Sequence, residues 1–149
     1  MTTTFEIETR AHVALVKLFD ASLDIDAHIS SMPGTRERAV AGVTSGRIGL
    51  GESVTWRAWH FGIPFTLTSR VTSLDRPGRF VDEQVRGPFR EFRHEHLFRR
   101  DGGATVMLDR VTIASPIFGT LAERLILVPY LRRLLTRRAR HLVASLPRD

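Results

Sequence analysis

The residues best suited to chemistry are concentrated in one stretch, RGPFREFRHEHLFRRDGG, from Arg86 to Gly103. It reads as a strand between two turn signals. It carries His94 and His96, two residues apart, between Phe92 and Phe98. Alternate residues of a strand share a face, so these four side chains point the same way. An imidazole titrates near neutral pH and can move a proton, ligate a metal or orient a polar ligand group. Two of them on an otherwise apolar face mark that face as the first place to look for function.

The turn DGG supplies their partners. With Gly102 and Gly103 at its centre, Asp101 faces Ala104. The register then sets Phe98 against Met107, His96 against Asp109, His94 against Val111 and Phe92 against Ile113. One face is apolar except for His94, His96 and Asp109. The other carries Arg93, Glu95, Arg99, Arg110 and Thr112, with Glu95 opposite Arg110. A His96–Asp109 dyad fits general-base catalysis, because a carboxylate fixes the imidazole tautomer and raises its basicity. Such a base removes a proton next to a carbonyl, as aldol cyclisation and dehydration require. The plainer alternative is a buried hydrogen bond that only orients the sheet. Two histidines and a carboxylate also fit a metal, but His94 and His96 have unlike partners, so no metal site is expected.

A second hairpin points at the same space. If FGIP closes with Phe61 facing Pro64, then Val54, Trp56, Ala58 and His60 share a face with Phe65, Leu67, Ser69 and Val71. The turns around Asp82 and Gln84 disagree. With Asp75 opposite Gly78, Val71 faces Asp82 and Ser69 faces Gln84, both inward. With Val85 opposite Pro88, Asp82 points outward. One loop must depart from the simple form, or a bulge lies between, for which Gly87 is a candidate.

These segments need a scaffold. TFEIETR alternates Phe5 and Ile7 with Glu6 and Glu8, as a half-buried strand does. HVALVKLFDAS shifts to helical spacing with Val13, Leu15, Val16 and Phe19 available for burial, and LDIDAHISSMPG continues as a second short helix. Residues 36 to 115 read as about six strands of an antiparallel meander. Pro116 ends the last one. IFGTLAERLILVPYLRRLLTRRARHLVASL then reads as one long helix with Leu121, Leu125, Leu135, Ala139, Leu142 and Leu146 on its apolar side, kinked near Val128 by Pro129. A meander has one face to bury, and one long helix can cover it. A strongly curved sheet around one helix leaves a gap suited to a ligand.

Composition narrows the classes. A chain of 149 residues without cysteine is one domain with no disulfide framework or thiolate metal site. The opening MTTTFEIETR has no cationic segment followed by an apolar stretch, and no apolar run is long enough to span a bilayer. A soluble, cytoplasmic protein is expected. The net charge of +6 is almost all arginine, since Lys17 is the only lysine. Five arginines lie between Arg132 and Arg140, which makes a solvated helix face or a basic surface. No nucleic-acid signature accompanies them.

The order of elements, with Asp82-x-Gln84, Gly87-Pro88-Phe89, His94-x-His96-x-Phe98 and Asp109-x-Val111, resembles the SRPBCC (START-like, helix-grip) superfamily and its bacterial polyketide cyclase/dehydrase-like branch. Phe92 stands where members of that branch often have tryptophan. The resemblance implies an α+β helix-grip fold over residues 1–149: a curved antiparallel sheet of six to seven strands around a long C-terminal helix, with two short helices after the first strand. It implies a small hydrophobic ligand, lipid, quinone or polyketide-like, held without a cofactor between sheet and helix. Trp56, Phe92, Phe98, Met107 and Val111 would form apolar walls. His60, His94, His96 and Asp109 would orient a polar group. Two alternatives stand beside this reading. One is a cyclase, aromatase or dehydratase acting through His96 and Asp109. The other is an interaction module whose Arg132, Arg133, Arg137 and Arg138 meet an anionic membrane surface. A homodimer remains open.

Overall fold

The computed structural model describes residues 2–115 and 119–149, apart from the side chain of Thr120. The predicted stop at Pro116 and the first residues of the predicted C-terminal helix, Ile117 and Phe118, lie outside the described residues. The order is β1 (Thr3–Ala11), α1 (Leu15–Ser22), α2 (Ile25–Ser30), a 3-10 turn (Pro33–Thr35), then β2 (Arg38–Gly42), β3 (Ser53–His60), β4 (Ile63–Asp75), β5 (Arg79–Arg86), β6 (Glu91–Asp101) and β7 (Ala104–Ala114). A helical segment follows: α3 (Thr120–Ala122), a π-helical stretch (Glu123–Leu127) and α4 (Val128–Ala144). The strands form one antiparallel sheet in the order β1-β7-β6-β5-β4-β3-β2. No helix among the described residues is long and apolar enough to cross a membrane.

The β6–β7 hairpin has the register that its turn demands. Asp101 faces Ala104, and the pairs His96–Asp109, His94–Val111, Phe98–Met107 and Phe92–Ile113 follow. On the outer face Arg110 donates to Glu95 (2.9 Å) and Glu6 (2.7 Å), and Arg79 donates to Glu95 (2.6 Å). This ladder crosses β1, β7, β6 and β5. Its arginines are well solvated, so each pair contributes about 1 kcal/mol or less.

The β3–β4 hairpin differs from expectation in partner but not in face. Phe61 and Gly62 alone make the turn, with His60 opposite Ile63 and Trp56 opposite Leu67. The shift is two residues, and a strand has a period of two, so every predicted inward residue stays inward. The conflict over Asp82 resolves inward. On the β4 side Asp75 faces Arg79, and an irregularity between Val71 and Ser73 restores Val71–Asp82 and Ser69–Gln84. On the β6 side Asp82 faces His94. The loop between β5 and β6 is longer than a tight VRGP turn. The Gln84 amide fills it, donating to the Phe89 carbonyl (2.7 Å) and accepting from the Phe89 N–H (3.2 Å). A Cβ on Gly87 would collide with that amide and displace Gln84 from its bonds to Phe89.

Helix α1 buries Leu18 and Phe19, not Val16, which stays exposed. Phe19 meets Phe80 and Phe98 edge-on, with ring centroids 5.7 and 5.2 Å apart. Fully burying such side chains stabilises by about 1.5–3 kcal/mol each. Asp24 caps α2 by accepting from Ala27 N at 3.0 Å. A second cluster joins Phe5, Ile7, Val111 and Ile113 to Leu131 of α4.

The predicted C-terminal helix is interrupted where proline is expected to act: the π-helical stretch ends at Leu127, and Pro129 lies in the first turn of α4. A π-turn holds more residues than an α-turn and shifts the buried face. Leu121 and Leu125 therefore point outward, contrary to their α-helical phase. Glu123 is buried in their stead, accepting from Thr3 Oγ1 (3.0 Å) and Ser115 N (2.6 Å). Leu135, Ala139 and Leu142 keep their inward side.

Candidate functional site

A cavity of about 560 Å³ separates the concave face of the sheet from the C-terminal helical segment. Its wall is mostly apolar. Trp56, Phe65, Phe89 and Phe92 line it from the sheet side, and Leu127, Leu131 and Leu134 from the helix. Volume and lining suit an organic molecule of drug size, since such sites span roughly 300–1,000 Å³.

Four of the expected ligand contacts lie on this wall: Trp56, His60, Phe92 and His94. Five expected residues do not. His96, Asp109 and Met107 border a neighbouring void of about 10 Å³, with room for about one water. Phe98 packs under α1 against Phe19 and Phe80. Val111 belongs to the core under Leu131. The common reason is that the helices cover parts of the strand face, α1 over the DGG end and α4 over β1 and β7. Alternation assigns a side to each residue but cannot say what covers that side.

The floor of the cavity is a buried chain of hydrogen bonds. His94 Nε2 donates to Asp109 Oδ1 at 2.8 Å. His96 Nδ1 lies 3.2 Å from the same oxygen. His96 Nε2 donates to Asp82 Oδ2 at 2.8 Å. The two imidazoles stack at 3.7 Å, and Phe80 stacks on the far side of His96 at 4.0 Å. Burial favours neutral His96, yet its bonds to Asp109 and Asp82 outweigh this and raise its pKa. Burial and the His96 charge lower the pKa of His94. Burial opposes ionisation of Asp109 and Asp82, but the histidines overcome it, holding Asp109 well below the usual carboxylate range and Asp82 below its ordinary value. The two carboxylates thus favour the imidazolium form of His96, and burial favours neutral His94, whose proton on Nε2 points to Asp109 and leaves Nδ1 as acceptor. Asp82 and His94 face the cavity; His96 and Asp109 stand behind them.

Asp82, His94 and His96 offer ligand atoms within 4.8 Å of one another. Their arrangement does not converge on a cation. The imidazoles stack at an interplanar angle of 20°, so their in-plane lone pairs run side by side, and both His96 nitrogens already face carboxylates.

Two further polar pairs and an arginine reach the wall. His60 Nδ1 and the Tyr130 hydroxyl are 2.6 Å apart. His28 of α2 stacks on Trp56 at 4.1 Å and pairs with Glu37. Arg138 lines the wall from α4. Sequence reading missed His28, Glu37, Asp82 and Tyr130 as site residues. The available signal was slight: Glu37, just before β2, is two residues from the inward Ala39.

The sequence pattern places Arg138 on the solvent side of α4, and the structure does not. It lies three residues after Leu135 and seven after Leu131, hence on the buried side. Arg132 is committed elsewhere, donating to the edge-strand carbonyl of Glu6 at 2.8 Å and lying over the Phe5 ring. The four arginines therefore do not form one free face.

No protein-family model and no curated protein sequence matches the chain. Solved structures do match. TTHA0849 from Thermus thermophilus has a TM-score of 0.74 at 17% identity, covering 96% of this chain and 99% of that one. Zhui aromatase/cyclase from a Streptomyces strain (R1128) has a TM-score of 0.76 at 14% identity, covering 97% and 93%. Major latex-like protein 151 from Panax ginseng has a TM-score of 0.69 at 13% identity, covering 97% of each chain. The chain shares the helix-grip fold of these structures. At these identities the likeness is one of fold. The helix-grip cavity of this chain is therefore read from its own residues.

Proposed function

We propose that the protein binds a small, largely apolar molecule in the helix-grip cavity. The observation that carries this is the 560 Å³ space between sheet and helix, walled by aromatic and aliphatic side chains with a few polar groups on it. Trp56, Phe65, Phe89 and Phe92 offer ring faces, which favours a planar ring system such as a quinone or polyketide-like molecule over a single acyl chain. Polar contacts come from Asp82, His94 and the His60–Tyr130 pair. The test is native mass spectrometry of the purified protein, followed by calorimetric titration with naphthoquinones, aromatic polyketides and fatty acids. Micromolar or tighter binding of ring compounds is expected. Failure of all three classes to bind overturns the reading.

A second reading, turnover of that ligand by cyclisation or dehydration, is favoured by the state of His94. Asp109 holds its proton on Nε2, which leaves Nδ1 as a base at the wall. His96, Asp82 and Asp109 then orient and tune that base. Zhui aromatase/cyclase shares the fold. The His94→Ala variant separates the readings: an enzyme loses turnover by orders of magnitude and keeps its ligand, whereas a carrier loses only affinity.

A further inference from the structure

A second imidazole–carboxylate pair lines the cavity on elements other than the floor strands. His28 projects from α2, and Glu37 stands between the 3-10 turn and β2. The Glu37 side chain is only 9% exposed. Its Oε1 is paired with His28 Nε2, and its other oxygen, Oε2, has no partner among the described residues at the cavity wall. The His28 ring is fixed from its other face by Trp56, at 4.1 Å and an interplanar angle of 21°. Arg36 immediately before Glu37 is left-handed, with φ of 52°. That conformation costs an L-residue roughly 1–2 kcal/mol. Arg36 is the left-handed cap that ends the 3-10 turn, and the change of direction there leads the chain into β2 with Glu37 at the cavity wall.

The charge around the cavity limits what such an acceptor can receive. Burial disfavours ionised Glu37, but His28, Arg138 and His60 outweigh it and lower its pKa. Three acidic residues line the cavity, Asp24, Glu37 and Asp82, against one arginine, Arg138. Acidic side chains outnumber the arginine, so a ligand anion would be repelled while a neutral hydrogen-bond donor would not.

We infer that Glu37 and His28 form the polar end of the ligand site, and that the ligand presents an uncharged hydroxyl group on an apolar body to the Glu37 carboxylate. His28 acts as a positioning residue that holds this carboxylate against the Trp56 wall. The inference rests on the cavity being a ligand site.

The test is calorimetric titration of the full chain with 2-naphthol, its methyl ether 2-methoxynaphthalene, and 2-naphthoate. The wild-type protein is expected to bind the naphthol at least about tenfold more tightly than the ether, the gain from one hydrogen bond to a charged acceptor. Glu37→Met removes both acceptors and should bring the two within about twofold, with the affinity for the ether retained. His28→Gln should reduce the preference in part. Equal binding of naphthol and ether by the wild-type protein overturns the inference and leaves the cavity reading standing. So does tighter binding of naphthoate than of naphthol, or a preference undiminished in both variants. If neither naphthol nor ether binds, the cavity reading falls and the inference falls with it. The wild-type comparison requires no variant to fold.

Discussion

The floor and the wall of the cavity use the same residue types in opposite ways. On the floor, Asp82, His96, Asp109 and His94 bond one another, leaving His94 Nδ1 open to the cavity, and His96 is packed between His94 and Phe80. On the wall, Glu37 has His28 as its one partner among the described residues, and the His60–Tyr130 pair sits beside exposed Phe61. A satisfied buried network stabilises and specifies the sheet; an unsatisfied group facing apolar space is available to a ligand. Residue type does not separate structural from functional histidines here. The completeness of their hydrogen bonding does.

The contrast predicts unequal costs of mutation. Asp109→Ala should have the largest effect. It removes the acceptor shared by His94 and His96 and leaves a buried imidazolium with one partner, at a cost of about 3–5 kcal/mol. Urea denaturation should show this, and a loss below about 1 kcal/mol, the scale of a single ordinary hydrogen bond, would show that the floor is not the stabilising unit.

Next comes the pH profile. The folded pKa of His96 is raised above 6.5, so its contribution is complete below that value and is lost as pH rises through the folded pKa. The folded pKa values of His94 and His28 are lowered, so their contributions are present above 6.5 and are lost as pH falls. Lowered pKa values for Asp82 and Asp109 steepen the acid limb further. Stability should therefore peak near pH 6.5 and decline above it by at most about 1.4 kcal/mol per pH unit, the limit for one proton. His96→Gln should abolish the alkaline decline. A wild-type urea midpoint flat from about pH 6.5 to about 9 would place His96 with the neutral histidines.

Wall substitutions should cost little. Tyr130→Phe loses one half-buried hydrogen bond, about 0.5–1.5 kcal/mol, and should change ligand affinity more than stability. The smallest effect has the opposite sign. Phe61 occupies a left-handed position in a two-residue turn, with φ of 55°, followed by Gly62 at 73°. That turn prefers Asn-Gly. Its ring is 64% exposed and stacks on Tyr130 at 4.5 Å. Phe61→Asn should stabilise the fold by up to about 1 kcal/mol while weakening ligand retention. Thermal denaturation paired with ligand dissociation rates checks both signs.

Much of the fold was legible because its signals are local. DGG fixed one register, and alternation fixed faces even where FGIP was misjudged by two residues. The Asp82–Gln84 stretch was not legible, because two loops and two bulges had to be placed together and the Gln84 side chain takes the part of a turn. The outward Leu121 and Leu125 were misread because a π-turn changes the helical period without leaving a mark in composition.

The sequence by itself determined the helix-grip element order, the inward face of each sheet histidine and the His96–Asp109 opposition. Each depends on turn chemistry and on periods of two or 3.6 residues. Only the tertiary structure decided which inward residues meet empty space and which meet a helix, that Asp82 completes the floor, and that His28 and Glu37 come together from separate elements. Those facts depend on how α1, α2 and α4 dock across the sheet, through contacts between residues far apart in the chain.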